Sequence, residues 1–330
     1  MTILVTGGAG YIGSHMVHEL VDTGEPVVVL DNLSTGFRFL IPGAVPFVAG
    51  NTGDHALVAK TIAQHGVTAI IHFAASIVVP DSVSDPLGYY RNNTMNTCTL
   101  LDVAIKAGVK QFIFSSTAAV YGNPEQMPVR EDAATLPISP YGTSKLMSEI
   151  MLHDAGKAHG LRFVVLRYFN VAGADPKQRT GQSTPAATHL IKVACEAALG
   201  KRPRIDVFGT DYPTPDGTCI RDFIHVSDLA RAHSAALAHL RRGGASATFN
   251  CGYGRGSSVF EVIDAVRRAS GRDFPVEISG RRAGDPPALV ANVDRIRATL
   301  DWRPQFQDLD TIVAHALAWE KRLPGKRAPA

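Results

Sequence analysis

Apolar residues in the first half of the chain come in short, largely apolar runs, at 3–5, 27–30, 46–48, 69–73, 112–114 and 163–166. Consecutive rather than alternating apolar positions, closed off by small or polar residues, read as strands buried on both faces. Between the runs lie helical patterns such as 14–23 and 54–65, with Gly24 and Gly66 where helix C-termini favour a left-handed residue. Strand and helix alternating this way predict an α/β fold built on a doubly wound parallel sheet. After residue 175 the rhythm loosens. Residues 175–188 have no regular period, and 211–218 (DYPTPDGT) are dense in turn formers. Strands are expected near 205–208, 223–226 and 248–250, mixed with helices. The division expected is residues 1–174 for the sheet domain and 175–330 for a smaller mixed lobe. Its boundary is soft, since later chain can return to the first sheet. Pro324 to Ala330 read as a solvated tail.

Composition narrows the class. The 330 residues are 45% hydrophobic and 19% charged, the balance of a globular enzyme with a core that needs no staples. The net charge is +3, and the basic residues fall in scattered pairs such as Arg241-Arg242, so no nucleic-acid partner is expected. Cys98, Cys195, Cys219 and Cys251 have neither CxxC spacing nor a histidine cluster beside them. They read as reduced thiols, with no metal site. The chain opens on a strand-like run without a basic, apolar leader, and no stretch approaches the ~20 apolar residues of a membrane span. A cytoplasmic location is expected.

The candidate chemistry begins at Gly7, Gly10 and Gly13, a GxxGxxG spacing directly after the first strand and opening the first helix. Missing side chains let a backbone loop cup a pyrophosphate at a helix N-terminus, where free N–H groups and the dipole favour anions. Asp31 ends the second strand, 24 residues past Gly7, where an acid accepts bonds from an adenosine ribose. Its charge would repel a 2′-phosphate, and neutral Asn32 follows it. NAD is therefore expected over NADP, on a Rossmann-type sheet.

Ligands of parallel sheets bind beyond the carboxyl ends of the strands. Phe73-Ala74, Ser115-Ser116-Thr117 and Tyr168-Phe169-Asn170 stand at three such ends. Ser139-Pro140 reads as a helix start, and Tyr141 and Lys145 then share one helical face. A lysine cation and the positive end of a helix both lower a phenol's pKa, so Tyr141 is the candidate acid/base.

These motifs resemble those of the extended short-chain dehydrogenases, and most of all the UDP-glucose (UDP-galactose) 4-epimerases, over roughly residues 2–322. The resemblance rests on TGGAGYIGSH (6–15), DNLSTG (31–36), HFAA (72–75), FSSTAAVYG (114–122), SPYGTSK (139–145), LRYFN (166–170), FGTDYPTPDGTCIRDFIHV (208–226) and RRAGDPPA (281–288). It implies that Tyr141 is the acid/base, Lys145 its partner and a nicotinamide-ribose ligand, and Thr117 the hydroxyl beside the reacting sugar. Tyr11, Ile12, Asp31, Asn32, Phe73, Ala74, Asn92 and Phe169 would line NAD. Asn170, Leu190, Phe208, Arg221, Arg282 and Asp285 would hold the UDP-sugar, the arginines suited to phosphate by charge and fork geometry. Leu289, four past Asp285, would border the sugar pocket. Where relatives carry tyrosine, glucose and galactose are preferred; a smaller residue admits 2-acetamido sugars.

Three positions depart from the family pattern. Asn51 replaces the aspartate near adenine, Ile77 a lysine near the cofactor, and His189 an asparagine near the diphosphate. None removes the acid/base pair. A 4,6-dehydratase would need an acidic pair after the fifth strand, where Ala118-Ala119 stand. Asn170 favours a neutral hexose over glucuronate, with a UDP-pentose or UDP-glucuronate epimerase as the alternative. A non-catalytic NAD-binding scaffold is disfavoured by the intact Tyr141, Lys145 and Thr117. The resemblance also implies a homodimer pairing the helices at 89–106 and 141–157.

Overall fold

The computed structural model describes residues 1–185, 187–282 and 284–323, so the tail read at 324–330 lies outside the described residues. Its strands are β1 (Thr2–Thr6), β2 (Val27–Asp31), β3 (Phe47–Ala49), β4 (Val67–His72), β5 (Gln111–Thr117), β6 (Arg162–Tyr168), β7 (Asn170–Ala172), β8 (Ile205–Phe208), β9 (Ile220–Arg221), β10 (Phe223–His225), β11 (Ala247–Cys251), β12 (Ser257–Ser258), β13 (Val276–Ser279) and β14 (Ala288–Leu289). The helices used below are α1 (Tyr11–Asp22), α2 (His55–His65), α3 (Val79–Ser84), α4 (Pro86–Tyr89), α5 (Asn96–Lys106), α6 (Pro140–His159), α7 (Leu190–Ala198) and α8 (Val226–Arg241).

Seven strands form one sheet in the order β11-β6-β5-β4-β1-β2-β3, every pairing parallel. The order reverses between β1 and β4, which opens a crevice at their carboxyl ends. Alternate residues of each strand supply opposite cores. Ile3, Val5, Val29, Ile71, Ile113 and Leu166 face one layer with residues of α1, α7 and α8. Leu4, Val28, Leu30, Ile70, Phe112 and Val165 face the other, with residues of α2, α5 and α6. That two-sided burial is why the runs are largely apolar in the sequence.

The helix expected at 14–23 starts three residues earlier, at Tyr11, because Gly10 is its N-cap. Asp54 caps α2, accepting from the Leu57 amide at 3.0 Å, and Gly66 closes it in the left-handed region at φ 59°. Residue 226, read as the end of a strand, is instead the first of α8, since the His225 ring caps that helix by accepting from the Ser227 amide. The strand read at 248–250 does return to the first sheet, as β11 beside β6. The remaining short sheets, β7–β10, β8–β13 and β12-β9-β14, build the mixed lobe. Asp222, between β9 and β10, is fully buried. Its carboxylate accepts from the amides of Tyr253, Gly254 and Ala291, tying separate segments of the later chain together.

Candidate active site

The glycine loop is pressed against the end of β4. Gly7 has φ +68°, and a Cβ there would sit 2.5 Å from the Ala74 amide nitrogen. A Cβ on Gly13 would lie 2.1 Å from the Gly7 carbonyl oxygen, and one on Gly10 would lie 3.2 Å from it. Gly10 caps α1 with no side chain bonded to the first-turn amides, and no acidic residue stands in that turn. The result is a cradle of backbone N–H groups at the positive end of a helix, at the sheet's switch point. It fits the pyrophosphate of a dinucleotide.

Asp31 is 7% exposed, and its two oxygens accept from the Ala9 amide (2.9 Å) and the Leu33 amide (2.7 Å). Burial raises its pKa, while those two amides work in the opposite direction. The acid expected at the ribose therefore also holds the glycine loop in shape. Tyr11 donates to the Gly173 carbonyl at 2.7 Å, joining α1 to the segment after β7, and Ile12 rests half-buried on the core. Phe73 lies 4.7 Å from the His233 ring, and Phe169 touches two apolar clusters. Asn32 and Asn51 are exposed at the ends of β2 and β3, each capping its own turn by accepting from Ser34 and Gly53. Ile77 is also exposed. Asn92 sits in a π-helical turn, Tyr90–Met95, and donates to the Ser76 hydroxyl at 2.9 Å. Such turns concentrate at functional sites.

The acid/base helix begins as its sequence requires. Ser139 caps α6 by accepting from the Gly142 amide at 3.2 Å, and Pro140 fills the first position. Tyr141 and Lys145 are then 8% and 3% exposed. Thr117 ends β5 and accepts from the Ala119 amide at 3.1 Å. The Tyr141 phenol is pushed up to about 12, by burial first, with the Thr117 hydroxyl drawing it down and Tyr89 adding to the rise. Burial also draws the Lys145 amine down to about 7, with Glu149 opposing, and its nitrogen lies 4.6 Å from the centre of the Phe114 ring. Withdrawal from water is the leading cause of both shifts.

The residues expected at the sugar nucleotide gather in two places. Arg221 on β9 donates to the carbonyls of Ile220 and Pro286, each at 2.9 Å, and faces Asp285 at 3.7 Å. Arg282 reaches Asp285 at 2.9 Å and lies over the Phe208 ring, 5.3 Å from its centre. Both arginines thus converge on one carboxylate beside an exposed aromatic ring. Asn170, His189 and Leu190 line a separate cleft with Gly173, Gln182 and Phe223. His189 caps α7 through its backbone, its Nδ1 lies 2.7 Å from the Gln182 amide, and burial lowers its pKa. Leu289 pairs in register with Arg221 and packs against the cluster of Ala118, Val120, Tyr121 and Val129, so it brings the mixed lobe to the residues that follow Thr117.

Several groups escaped sequence reasoning. Buried Asn93 accepts from the Ser76 amide (2.8 Å) and donates to the Ser76 carbonyl (2.9 Å) and the Ser144 hydroxyl (3.0 Å), locking the Asn92 turn onto α6. Glu149 and Arg167 form an ion pair with both side chains under a tenth exposed. Spacing offered a clue to Glu149, which stands one helical step beyond Lys145. Nothing local marks Asn93 or Arg167.

A family model described as "NAD dependent epimerase/dehydratase family" matches residues 3–252. A UDP-glucose 4-epimerase of Azospirillum brasilense is 62% identical over 97% of this chain and 92% of its own length. The solved UDP-glucose 4-epimerase from Brucella ovis in complex with NAD is 46% identical, with a TM-score of 0.94 over 97% of this chain and 98% of that one. The UDP-Glc/GlcNAc 4-epimerase from Campylobacter jejuni is 48% identical, with a TM-score of 0.86 over 97% and 99%. A match over three quarters of the sequence, a TM-score of 0.94 to a solved epimerase 46% identical, and a glycine cradle in the same chain lead to one conclusion: the chain belongs to the NAD dependent epimerase/dehydratase family.

Proposed function

We propose that this chain interconverts UDP-glucose and UDP-galactose by transient oxidation at C4 of the hexose, with NAD held tightly throughout. The observation that carries the reading is the grouping of Tyr141 and Lys145, buried in the first turns of α6, with Thr117, buried at the carboxyl end of β5, in the same parallel sheet whose β1 leads into the glycine cradle. Residues 1–174 would carry NAD and residues 175–330 mainly the UDP-sugar.

Bound NAD supplies a reversible hydride acceptor and a positive charge in the pocket. Tyr141 takes the proton of the sugar 4-hydroxyl and later returns one to the same oxygen. Thr117 holds that oxygen by a hydrogen bond. Lowering a phenol from about 12 to neutrality takes roughly 7 kcal/mol. One unit charge at ~5 Å, in an effective dielectric of ~20, contributes about 3 kcal/mol. The phenolate therefore needs the ammonium form of Lys145 and a second cation together. Phe73, Ala74, Asn92 and Phe169 line the dinucleotide, with Asp31 and Asn32 at its ribose, Asn51 towards adenine, and Tyr11 and Ile12 along the cradle. Arg221 and Arg282 take the diphosphate or ribose side, held ready by Asp285, with Phe208 beneath Arg282. Asn170, His189 and Leu190 complete the nucleotide cleft. The 4-keto sugar turns while its UDP stays anchored.

Leu289 supports a second, weaker activity on UDP-N-acetylhexosamines, since leucine leaves room that a tyrosine ring would fill. A homodimer is supported by a cluster of exposed apolar residues: Val83, Leu87 and Met95 from α3 to the start of α5, and Met147 and Ile150 on α6. No described helix is long and apolar enough to cross a membrane, and the four cysteines are free thiols, which supports work in the cytoplasm. The test is turnover of UDP-galactose by purified protein with no NAD added. UDP-glucose should form catalytically. Stoichiometric consumption of added NAD with accumulating NADH would mean a net dehydrogenase instead.

A further inference from the structure

Tyr141, Lys145 and Glu149 follow one another at four-residue steps and so share one face of α6. The chemistry above uses the first two. Glu149 is 2% exposed, and its carboxylate is gripped from two strands of the sheet. The Ser116 hydroxyl on β5 donates to it, and Arg167 on β6 donates through Nε (3.1 Å to each oxygen) and Nη2 (2.6 Å). Arg167 also donates to the Tyr121 hydroxyl at 3.0 Å and the Glu131 carbonyl at 3.3 Å, and Tyr121 donates onward to Asn250 at 2.7 Å. A buried ion pair is a poor way to gain stability, because desolvation offsets most of the attraction. Its placement needs another reason.

That reason lies one turn back along the helix. Lys145 rests on the Phe114 ring and, among the described residues, makes no salt bridge. Its charged or titratable surroundings are few. His72 on β4 is buried between the hydroxyls of Thr6 and Thr97 and held neutral, with a pKa near 3 set by burial and then by Lys145 itself. Tyr141 is a phenol. His153 lies a further turn along α6, beside Glu149. The Glu131 carboxylate is turned to the Asn250 amide at 2.9 Å. Glu149 is the anion that acts on Lys145.

We propose that Glu149 is a positioning residue for this reaction: it keeps Lys145 a cation, while Arg167 fixes the carboxylate and limits how much of its charge reaches the lysine. The proposal rests on the reading of Tyr141 and Lys145 given above. Burial draws Lys145 towards neutrality and Glu149 opposes it, so one unit of charge decides whether the ammonium persists at working pH.

The pH dependence of kcat for UDP-galactose tests this in four proteins. Glu149→Gln keeps the shape and leaves Arg167 uncompensated. The high-pH limb, where Lys145 loses its proton, should move down by about one pH unit. Arg167→Met frees the carboxylate towards Lys145 and should move that limb up. The double variant removes both charges, folds where a single variant does not, and should fall between wild type and Glu149→Gln. A purely structural pair would lower kcat in every variant and leave the limb in place. Unmoved limbs in the folded variants overturn the proposal and leave the epimerase reading intact. Absence of turnover in wild type overturns the reading, and the proposal with it.

Discussion

A phenol pushed up to about 12 is a poor base, and Tyr141 depends on its neighbours to become one. Tyr141→Phe keeps the ring and removes the proton carrier. Turnover should fall about 10²–10⁴-fold while UDP binding by calorimetry is unchanged. A variant that turns over at the wild-type rate would show that another group moves the proton. Leu289 poses a question of volume rather than charge. It is half-buried, with Tyr121 and Phe169 in the same cluster, where a larger ring would push towards the sugar side. Leu289→Tyr should remove turnover of UDP-N-acetylglucosamine and spare most of that of UDP-galactose. The comparison is kcat/KM for both sugars in both proteins. Equal proportional losses would instead mean general damage to packing, and the gate would be abandoned.

The glycine loop and α1 act as one device, because the turn exists to present the helix's first amides. Gly7→Ala places a side chain at φ +68° and 2.5 Å from the Ala74 amide. The left-handed backbone alone costs about 1–2 kcal/mol, and the clash parts the loop from β4. Purified protein should lose its NAD, read as nucleotide released on denaturation, while the sheet persists by circular dichroism. Retention of stoichiometric NAD would place the cradle elsewhere. Helix α6 carries two duties on two faces. Tyr141 and Lys145 look inward, while Ile150 is 53% exposed and stands with Met147 on the outer side. Ile150→Arg should convert a dimer to a monomer in sedimentation velocity. If the wild type sediments as a monomer, that apolar face serves some other purpose.

Four of the five buried histidines among the described residues link the whole molecule to pH. Burial is the leading cause of the low pKa of each: His15 and His233 about 4, His72 about 3, His225 about 2. In the unfolded chain they titrate near ~6.5. Below that value the unfolded state binds more protons than the folded one, so their stability is complete above ~6.5 and is lost as pH falls towards the folded values. Each costs up to ~1.4 kcal/mol per pH unit, and the four together on the order of 5. A typical net stability is only ~5–15 kcal/mol. The protein should therefore unfold cooperatively between about pH 6 and 4. Melting temperatures measured at half-unit steps would show it, and a flat series through that range would mean that these rings are charged in the fold.

The sequence by itself determined what depends on near neighbours. Largely apolar runs dictate strands buried on both faces. Gly7, Gly10 and Gly13 dictate a loop that only glycine can close, and Asp31 marks the strand end beside it. Ser139-Pro140 starts a helix that sets Tyr141 and Lys145 on one side. Each of these is local, set by backbone sterics, capping or helical period, and each stands in the structure where it was read. Tertiary structure decided the rest. Arg167 meets Glu149 from a strand and a helix 18 residues apart, Asn93 clasps Ser144 across 51, and β11 joins the first sheet from within the later chain, after β8, β9 and β10. No periodicity encodes such partners, because the pairing follows from which faces the sheet brings together. The protonation of Tyr141 and Lys145 belongs to the same class. Spacing makes them neighbours, but only burial, which the fold creates, sets the price of their charge.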